Sequence, residues 1–428
     1  MPEDINQMLP NEAQNQDVMR TLLDISTAID SMDPIEKITS IIIDKCLAHI
    51  RASQGAIFIL EEGDRFRTYI RKFSTAIESF EYHLSTRLSG WILKYRKAYL
   101  CNNPKSDKMF KGINLSKIGI NSILSAPFIS PKGIIGMLTI FNKKAPEGFT
   151  DEDKKFLAIV GTQTAKVIEN ARLYEQEKEL IKIREEIILA KEIQKRFLPS
   201  GNIDHPACEI HGYNSPAKDV GGDYYDYTML DENNIFVSIG DVVGKGIPAA
   251  LLMAHAQATI RSKLRPPEHI DLLQIAEDLN GGLLQYSLPN DPFAATITTI
   301  FGYLNCTSRV LRFINAGHPR PLIIKSDGNI MELSEGNTII GAFDDSCFSV
   351  RETVLENGDL LFMYTDGITE AANENEVFFE EERLRKLLIH YRTEHPRVII
   401  NRIVESVNDF SGTNVQHDDM TMVAIRIK

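Results

Sequence analysis

"IFVSIGDVVGKGIPAALLMAHA", residues 235–256, decides how the C-terminal half of this chain is read. An apolar run ends on an acid, Asp241. A loop follows in which Gly244 and Gly246 flank Lys245, and a helix opens at Pro248. Glycine, lysine and a helix N-terminus are the parts of a phosphate cradle, yet a carboxylate stands where the anion would sit. Both nucleotide patterns fail. A P-loop needs G-x-x-x-x-G-K-[ST], whereas three residues separate Gly240 from Gly244 and Gly246 replaces the hydroxyl. The G-x-G-x-x-G loop of dinucleotide sites is absent.

The acid makes sense beside others like it. "KDVGGDYYDY" sets Asp223 after two glycines, "LLFMYTDGITEAA" ends an apolar strand on Asp366, and "VQHDDMTMVAIRIK" sets Asp418 and Asp419 before the last strand. An Asp-Gly pair at a strand end is ordinarily a turn. Four such acids in one region ask for more. Clustered carboxylates repel one another and raise each other's pKa, and a divalent cation resolves the conflict. Mg²⁺ and Mn²⁺ take oxygen ligands and need few carboxylates each. Two ions about 4 Å apart activate water and hold a phosphoryl oxygen. The carbonyl of Val242 is a further hard donor. Asp226 and Asp419 are candidates to orient a ligand or water, Lys245 to steady a phosphate as a point charge, and His318 is a weaker candidate in a strand-end turn. Asp359 in "ENGDLL" reads as a hairpin turn.

Around this core the chain divides into stretches of different pattern. Residues 1–16 are polar and expected to be loose. Residues 17–172 mix helices and strands: "MRTLLDISTAIDSMDPIEKITSIIIDKCLAHI" has helical spacing. "GAIFILEEGDRFRTYI" reads as a hairpin turning at Gly63-Asp64, and "SILSAPFISPKGIIGMLTIFNKK" as one turning at Pro131-Lys132-Gly133. A single antiparallel sheet with helices packed on it is expected.

A long helix starts at "FTDEDKKFL", with Thr150 as N-cap and Asp153 as its box partner, and continues through a linker at residues 173–199. Leu173, Gln176, Leu180, Ile183, Ile187, Ala190, Gln194 and Phe197 alternate three- and four-residue steps, the spacing of a coiled-coil seam. The 150–197 helix is therefore expected to pair with a second copy. Residues 200–428 alternate hairpin-linked strands with blocks of helix, at about 248–264, 268–286, 378–390 and 396–410. The expected class is α+β multidomain.

With 47 basic and 59 acidic side chains the formal charge is −12, which argues against nucleic acid or an anionic membrane as an unaided partner. No apolar run approaches the roughly 20 residues of a membrane span, and the acidic, polar start is unlike a secretory signal. Cys46, Cys101, Cys208, Cys306 and Cys347 lie far apart with no C-x-x-C pair, which favours reduced thiols in a cytoplasmic protein over disulfides or a zinc site.

"AKEIQKRFLP", "DVGGDYYDY", "IGDVVGKGIPAALLMA", "FINAGHPRPL", "GDLLFMYTDGITEA" and "DDMTMVAIR" occur in this order. Together they closely resemble the SpoIIE/RsbU-like branch of the metal-dependent (PPM-type) serine/threonine protein phosphatases. The resemblance implies a β-sandwich flanked by helices with two Mn²⁺ or Mg²⁺ ions. Asp223, Asp241 with the Val242 carbonyl, Asp366 and Asp418 match the ligand positions, Asp241 being the bridging acid. It also implies a phosphorylated STAS anti-anti-sigma protein as substrate, in a partner-switching pathway. Larger relatives carry Asp-Gly-His-Gly at the bridging acid, where this chain has Asp241-Val242-Val243-Gly244. The general acid is left open between Lys245 and a metal-bound water.

"GWILKYRKAYLCNNPKSDKMF", "SILSAPFISPKGIIGMLTIFNKK" and "FTDEDKKFLAIVGTQTAKVIENARLYEQ" resemble a GAF sensor domain. Its ligand is not indicated. The N-K-x-F-x-x-x-D-E pattern of cyclic-nucleotide binders is broken at Phe149-Thr150-Asp151-Glu152, and no pattern around Cys101 or His83 supports a bilin or haem. The expected function is a signal-regulated phosphatase, with a catalytically inactive pseudophosphatase scaffold as the alternative. A diguanylate cyclase fails because Tyr224 and Tyr225 replace Glu and Phe after "GGD".

Overall fold

The computed structural model describes residues 35–428 except 62–64, 72–77, 114, 116–118, 265–269, 288–289, 292 and 335. The 1–16 segment, the start of the sensor region and the Gly63-Asp64 turn lie outside the described residues, as does the side chain of His83. The chain forms two compact units, residues 1–181 and 182–428.

The first unit is an antiparallel sheet with helices. Helix α1 (Ile35–Ile50) is followed by β1 (Ala52–Glu61), β2 (Arg65–Arg71), α2 (Glu78–Tyr95), β3 (Tyr99–Cys101), β4 (Ile123–Ser130) and β5 (Gly133–Lys143). The strand order is β2-β1-β5-β4-β3. Helix α1 buries Ile38, Ile42, Ile43, Cys46, Leu47 and Ile50, a helical stripe that packs on Ile57, Ile59, Leu138 and Ile140. The opposite face meets Leu88, Ile92, Phe110 and Ile120. The β4–β5 hairpin closes with Ser130 opposite Gly133, at the expected turn. Helix α2 and the three-residue β3 were not legible in the pattern.

Helix α3 (Asp151–Lys195) runs 45 residues, about 68 Å at 1.5 Å per residue, and links the two units. Its start is the expected capping box: Asp153 N donates to Thr150 Oγ1 (3.2 Å) and Thr150 N to an Asp153 carboxylate oxygen (2.8 Å). Phe156, Leu157, Val160, Ala165 and Ile168 are buried, whereas Leu173, Leu180, Ile183, Ile188, Leu189 and Ile193 are exposed, Leu180 by 66%.

The second unit stacks two antiparallel sheets between two helical layers. One sheet contains β8 (Tyr224–Met229), β9 (Asn234–Val242), β10 (Ile297–Asn305), β11 (Val310–Ala316) and β14 (Arg351–Val354), in the order β14-β11-β10-β9-β8. The other has the order β13-β12-β15-β16-β7-β6. Its members are β6 (Ile203–His205), β7 (Cys208–Ser215), β12 (Leu322–Ile324), β13 (Ile330–Glu332), β15 (Leu360–Tyr364) and β16 (Met420–Ile427).

Alternate residues of each strand face opposite layers. Val237, Ile239, Ile300, Met363, Val423 and Ile425 fill the space between the sheets. Phe236, Phe301 and Ile314 instead meet α4 (Ile247–Ser262) and α5 (Leu272–Leu284). Phe362 and Met422 meet α6 (Glu380–Tyr391) and α7 (Pro396–Ser411). Strands covered on both faces read as unbroken apolar runs, which is why β9, β15 and β16 stand out. Short or half-polar β6, β7, β8, β13 and β14 do not. Among the described residues no helix is long and apolar enough to cross a membrane.

Candidate active site

Register brings the acids to one end of both sheets. Asp241 is the penultimate residue of β9, opposite Thr298. Tyr224 pairs with Gly240, so Asp223, one step earlier, comes beside Asp241. In the other sheet Tyr364 pairs with Met422, and Thr365 N donates to Thr421 O at 3.0 Å. Asp366 just after β15 and Asp418 just before β16 therefore share that sheet's corresponding end. The four carboxylates feel one another: Asp241 is repelled by Asp366 and then by Asp418, and it raises Asp223.

Hydroxyls tie the two sheets together at this point. Asp223 is 4% exposed, and its Oδ2 accepts from Thr365 Oγ1 (2.7 Å) and Thr421 Oγ1 (2.6 Å). Thr421 Oγ1 in turn accepts from Asn214 Nδ2 at 2.9 Å. Two of the carboxylate's lone pairs are thereby fixed and the rest are left to face Asp241. The glycine before Asp223 is required by close approach. A Cβ on Gly222 would lie 2.7 Å from the Val242 carbonyl oxygen, so any side chain there would cover the backbone donor noted in the sequence. Gly367 is tighter still, its Cβ position falling 2.0 Å from the Asp419 carbonyl.

The electrostatics are those of buried carboxylates that repel one another. Burial, followed by repulsion from Asp366, pushes the Asp241 carboxyl up to about 7. Burial and Asp241 push Asp223 well upward, and burial and Asp418 raise Asp366. Glu370 is raised by burial and then by Asp366 and Asp418. Lys245 Nζ lies 2.8 Å from Asp418 Oδ2 and donates to His417 O at 2.6 Å. Burial tends to lower the lysine, but the Asp418 pairing prevails and raises it. Hard oxygen donors, mutual repulsion and an uncovered carbonyl all fit divalent cations of the Mg²⁺ and Mn²⁺ kind. The glycine-lysine loop thus brings Lys245 to the carboxylate cluster, at Asp418.

The remaining candidates fall in different places. Asp419 is buried and organises backbone: its Oδ2 accepts from Gly222 N (2.8 Å) and Asp223 N (3.3 Å), its Oδ1 from Ala217 N (2.7 Å). Asp226, 1% exposed, faces α4 and is gripped by Arg261 through Nε (2.6 Å) and Nη2 (3.0 Å). His318 is buried with Nδ1 3.2 Å from Thr298 Oγ1, beneath the strand position opposite Asp241. Burial lowers it to about 3, so it is neutral near pH 7. Asp359 pairs with Lys325 at 2.8 Å, far along β15 from Asp366.

Sequence reasoning missed four participants. Glu370 lies one helical turn beyond Asp366, its N donating to Asp366 O at 2.8 Å, and that i+4 spacing was a usable signal. Thr365 and Thr421 carried none, since a strand threonine is commonplace. Gln194 read only as a seam residue. Its amide clasps the glycine pair, with Nε2 donating to Gly221 O (2.7 Å) and Oε1 accepting from Gly221 N (3.2 Å).

Residues 231–428 match the family model described as Stage II sporulation protein E, and residues 33–169 match a GAF domain model. The chain is 29% identical over 247 residues to phosphoserine phosphatase RsbU of Bacillus subtilis, covering 58% of this chain and 71% of that protein. It is 28% identical over 263 residues to protein IcfG of Synechocystis sp., covering 56% of this chain and 41% of that one. Among solved structures, the SiaA-PP2C domain of Pseudomonas aeruginosa aligns over 58% of this chain and 99% of its own. The TM-score is 0.51 at 22% identity, a likeness of fold.

Proposed function

The chain joins a GAF domain to a SpoIIE-type phosphatase domain, and on that premise we propose that it is a metal-dependent serine/threonine protein phosphatase under sensor control. One observation carries the reading: Asp223, Asp241, Asp366 and Asp418 come from two sheets to one place where each raises or repels another. These four carboxylates and the Val242 carbonyl would hold two divalent cations, Mn²⁺ or Mg²⁺. Bound there, such ions supply Lewis acidity toward a phosphoryl group and a water acidic near neutral pH.

The chain's own residues prepare the site for that chemistry. Thr365 and Thr421 hold the Asp223 carboxylate in one orientation. Gly222 keeps the Val242 carbonyl open, and Asp419 fixes the loop that carries both Gly222 and Asp223. Lys245 stands at the cluster as a charged donor, paired with Asp418. Its proposed role is to meet phosphoryl oxygens, and it is one of two proton sources, with water at the site, for a leaving alkoxide. His318, neutral near pH 7, does not serve as an imidazolium donor.

The substrate is proposed to be a phosphorylated STAS anti-anti-sigma protein, the class implied by the motif resemblance, in a partner-switching pathway. The experiment is hydrolysis of a chromogenic aryl phosphate and of a phosphorylated STAS protein, with Mn²⁺ and then with chelator. Metal-dependent release from both is expected. Well-folded protein that binds the STAS partner yet releases no phosphate would establish the scaffold reading instead.

Regulation is proposed to pass along α3. Its C-terminal end touches the loop of the acidic site through the Gln194–Gly221 clasp, and Phe197 O, just beyond the helix, anchors the chain to α4 by accepting from Gln257 Nε2 (2.8 Å) and Arg261 Nη2 (3.2 Å). A cavity of about 890 Å³ between Gln194, Leu198, Asn214 and Asp223 gives this end room to shift. Gln194→Ala should change turnover at least about threefold while costing no more than about 1 kcal/mol of stability. Unaltered kinetics would detach the helix from control.

The exposed Leu173, Leu180 and Ile183 support a homodimer through the 150–197 helix. Light scattering should give a dimer for the full chain and a monomer for residues 200–428. A monomeric full chain would rule the seam out.

A further inference from the structure

The end of the sandwich opposite the acids holds a second cluster, of a different chemical kind. His205 ends β6, Cys208 begins β7, and the two are register partners across the Pro206-Ala207 turn. Cys306 directly follows β10, and its N donates to Asn233 O at 2.6 Å. The ligand atoms of these three residues all lie within 4.8 Å of one another. Along β9 the cluster is separated from Asp241 by the run from Asn234, roughly 23 Å at 3.3 Å per residue. Cys306 lies nearly 100 positions beyond His205 and Cys208 in sequence, which is why the cysteines looked isolated there. They meet because β7 and β10 belong to facing sheets and end at the same edge.

The donor set is selective. Two sulfurs and an imidazole suit Zn²⁺ and related soft or borderline ions, whereas the carboxylate cluster suits hard ones. Cys208 is fully buried and Cys306 is 7% exposed, and burial pushes the Cys208 thiol up to about 12 and raises Cys306 as well. Their sulfurs come within 4.8 Å of each other at the end of the apolar core between the sheets. The histidine is already held for ligation. Its Nε2 lies 3.2 Å from the Glu232 carbonyl, which can only accept, so the proton sits on Nε2 and the lone pair on Nδ1. That lone pair receives only a long bond from Ala207 N, 3.2 Å. A backbone carbonyl fixing the tautomer of a metal-binding histidine is the usual supporting arrangement. An ion about 2.3 Å from sulfur and about 2.0 Å from nitrogen requires the three atoms to draw together by roughly an ångström at most. The short β6–β7 turn can supply that movement.

We propose that His205, Cys208 and Cys306 bind one zinc-class ion that staples the two sheets together at the end remote from the acidic site. Binding exchanges the two thiol protons for the cation and releases them to solvent. Three protein ligands leave a fourth position for water, reached from the half-buried His205 side.

Cobalt is the discriminating probe, because thiolate ligation gives a near-ultraviolet charge-transfer band that carboxylates do not. Reduced, chelator-stripped full-length protein titrated with Co²⁺ should develop this band to one equivalent, and Zn²⁺ should abolish it. Cys208→Ser and Cys306→Ser should each lose the band. His205→Ala, a half-exposed position that spares the core, should bind at least about tenfold more weakly. Mn²⁺-dependent phosphatase turnover of His205→Ala should stay within about twofold of the parent, which separates this site from the acidic one. Absence of the band in the parent protein overturns the proposal. So does a band of parental strength in the Cys208→Ser/Cys306→Ser double variant, since the thiolates would then be Cys46, Cys101 or Cys347.

Discussion

Asp366→Asn is expected to lower metal-dependent turnover by on the order of 10²–10³-fold or more, while leaving the metal-free chain at least as stable as the parent. The two halves of this result have one cause. The Asp366 carboxyl is raised by burial and by Asp418, so in the folded, metal-free protein its charge is unfavourable. Asparagine keeps the shape and removes the charge, which relieves Asp241 as well, since Asp366 is the first of its charged neighbours. The same substitution removes an anionic donor from the proposed cation site. Aryl phosphate hydrolysis with Mn²⁺ and a thermal melt in chelator measure the two effects. Undiminished turnover would take Asp366 out of the site. Asp226→Asn supplies the contrast, because it breaks the pairing with Arg261 and leaves a partly buried guanidinium unmatched. It should lose stability first, and activity only through that loss.

Asp223 and Asp226 also show how far the sequence reads. Only two tyrosines stand between them, and both are buried acids. Asp223 lies just outside β8 at the sheet edge, among Thr365, Thr421 and Asp241. Asp226 lies inside β8 on the face toward α4, where Arg261 neutralises it. Neighbouring glycines signalled the first, because close backbone approach leaves a mark in composition. Nothing near Asp226 announced an arginine 35 positions away.

The same limit applies elsewhere. Strands β9, β15 and β16 were legible because both of their faces are covered. Strands β6 and β7 were not, and with them went the meeting of Cys208 and Cys306. The seam reading of α3 gave Gln194 a place on a helix face. Its clasp on Gly221 depends on which loop of the second unit lies beside it, and no periodicity encodes that.

The acidic site should also set how stability depends on pH in the absence of metal. Asp241 rises from an ordinary 3.8 to about 7 on folding, and Asp223, Asp366 and Glu370 move in the same direction. A carboxyl whose folded pKa exceeds its unfolded value binds more protons in the native state. Its contribution is therefore full below the unfolded pKa and is lost as pH climbs through the folded one. Most of the loss accrues between about pH 4 and pH 7, and its tail is read between pH 7 and 8, where Asp241 sheds its remaining native proton and the histidines are silent. The acids held low by ion pairs, such as Asp278 and Glu332, stay ionised throughout that window. His211 and His318, kept neutral by burial, act chiefly below their ordinary 6.5. Chelated full-length protein should therefore melt lower at pH 8 than at pH 7. Mn²⁺ at about 100 times its dissociation constant should add about 2.7 kcal/mol, or about 5–10 °C for a unit of this size. At one fixed Mn²⁺ concentration the gain should be larger at pH 8 than at pH 7, because fewer protons must be displaced and the ion binds more tightly. Asp241→Asn should flatten the metal-free slope. A melt that is level between pH 7 and 8 and unmoved by Mn²⁺ would mean that these carboxylates neither strain the folded chain nor hold a cation, and the catalytic reading would fall with them.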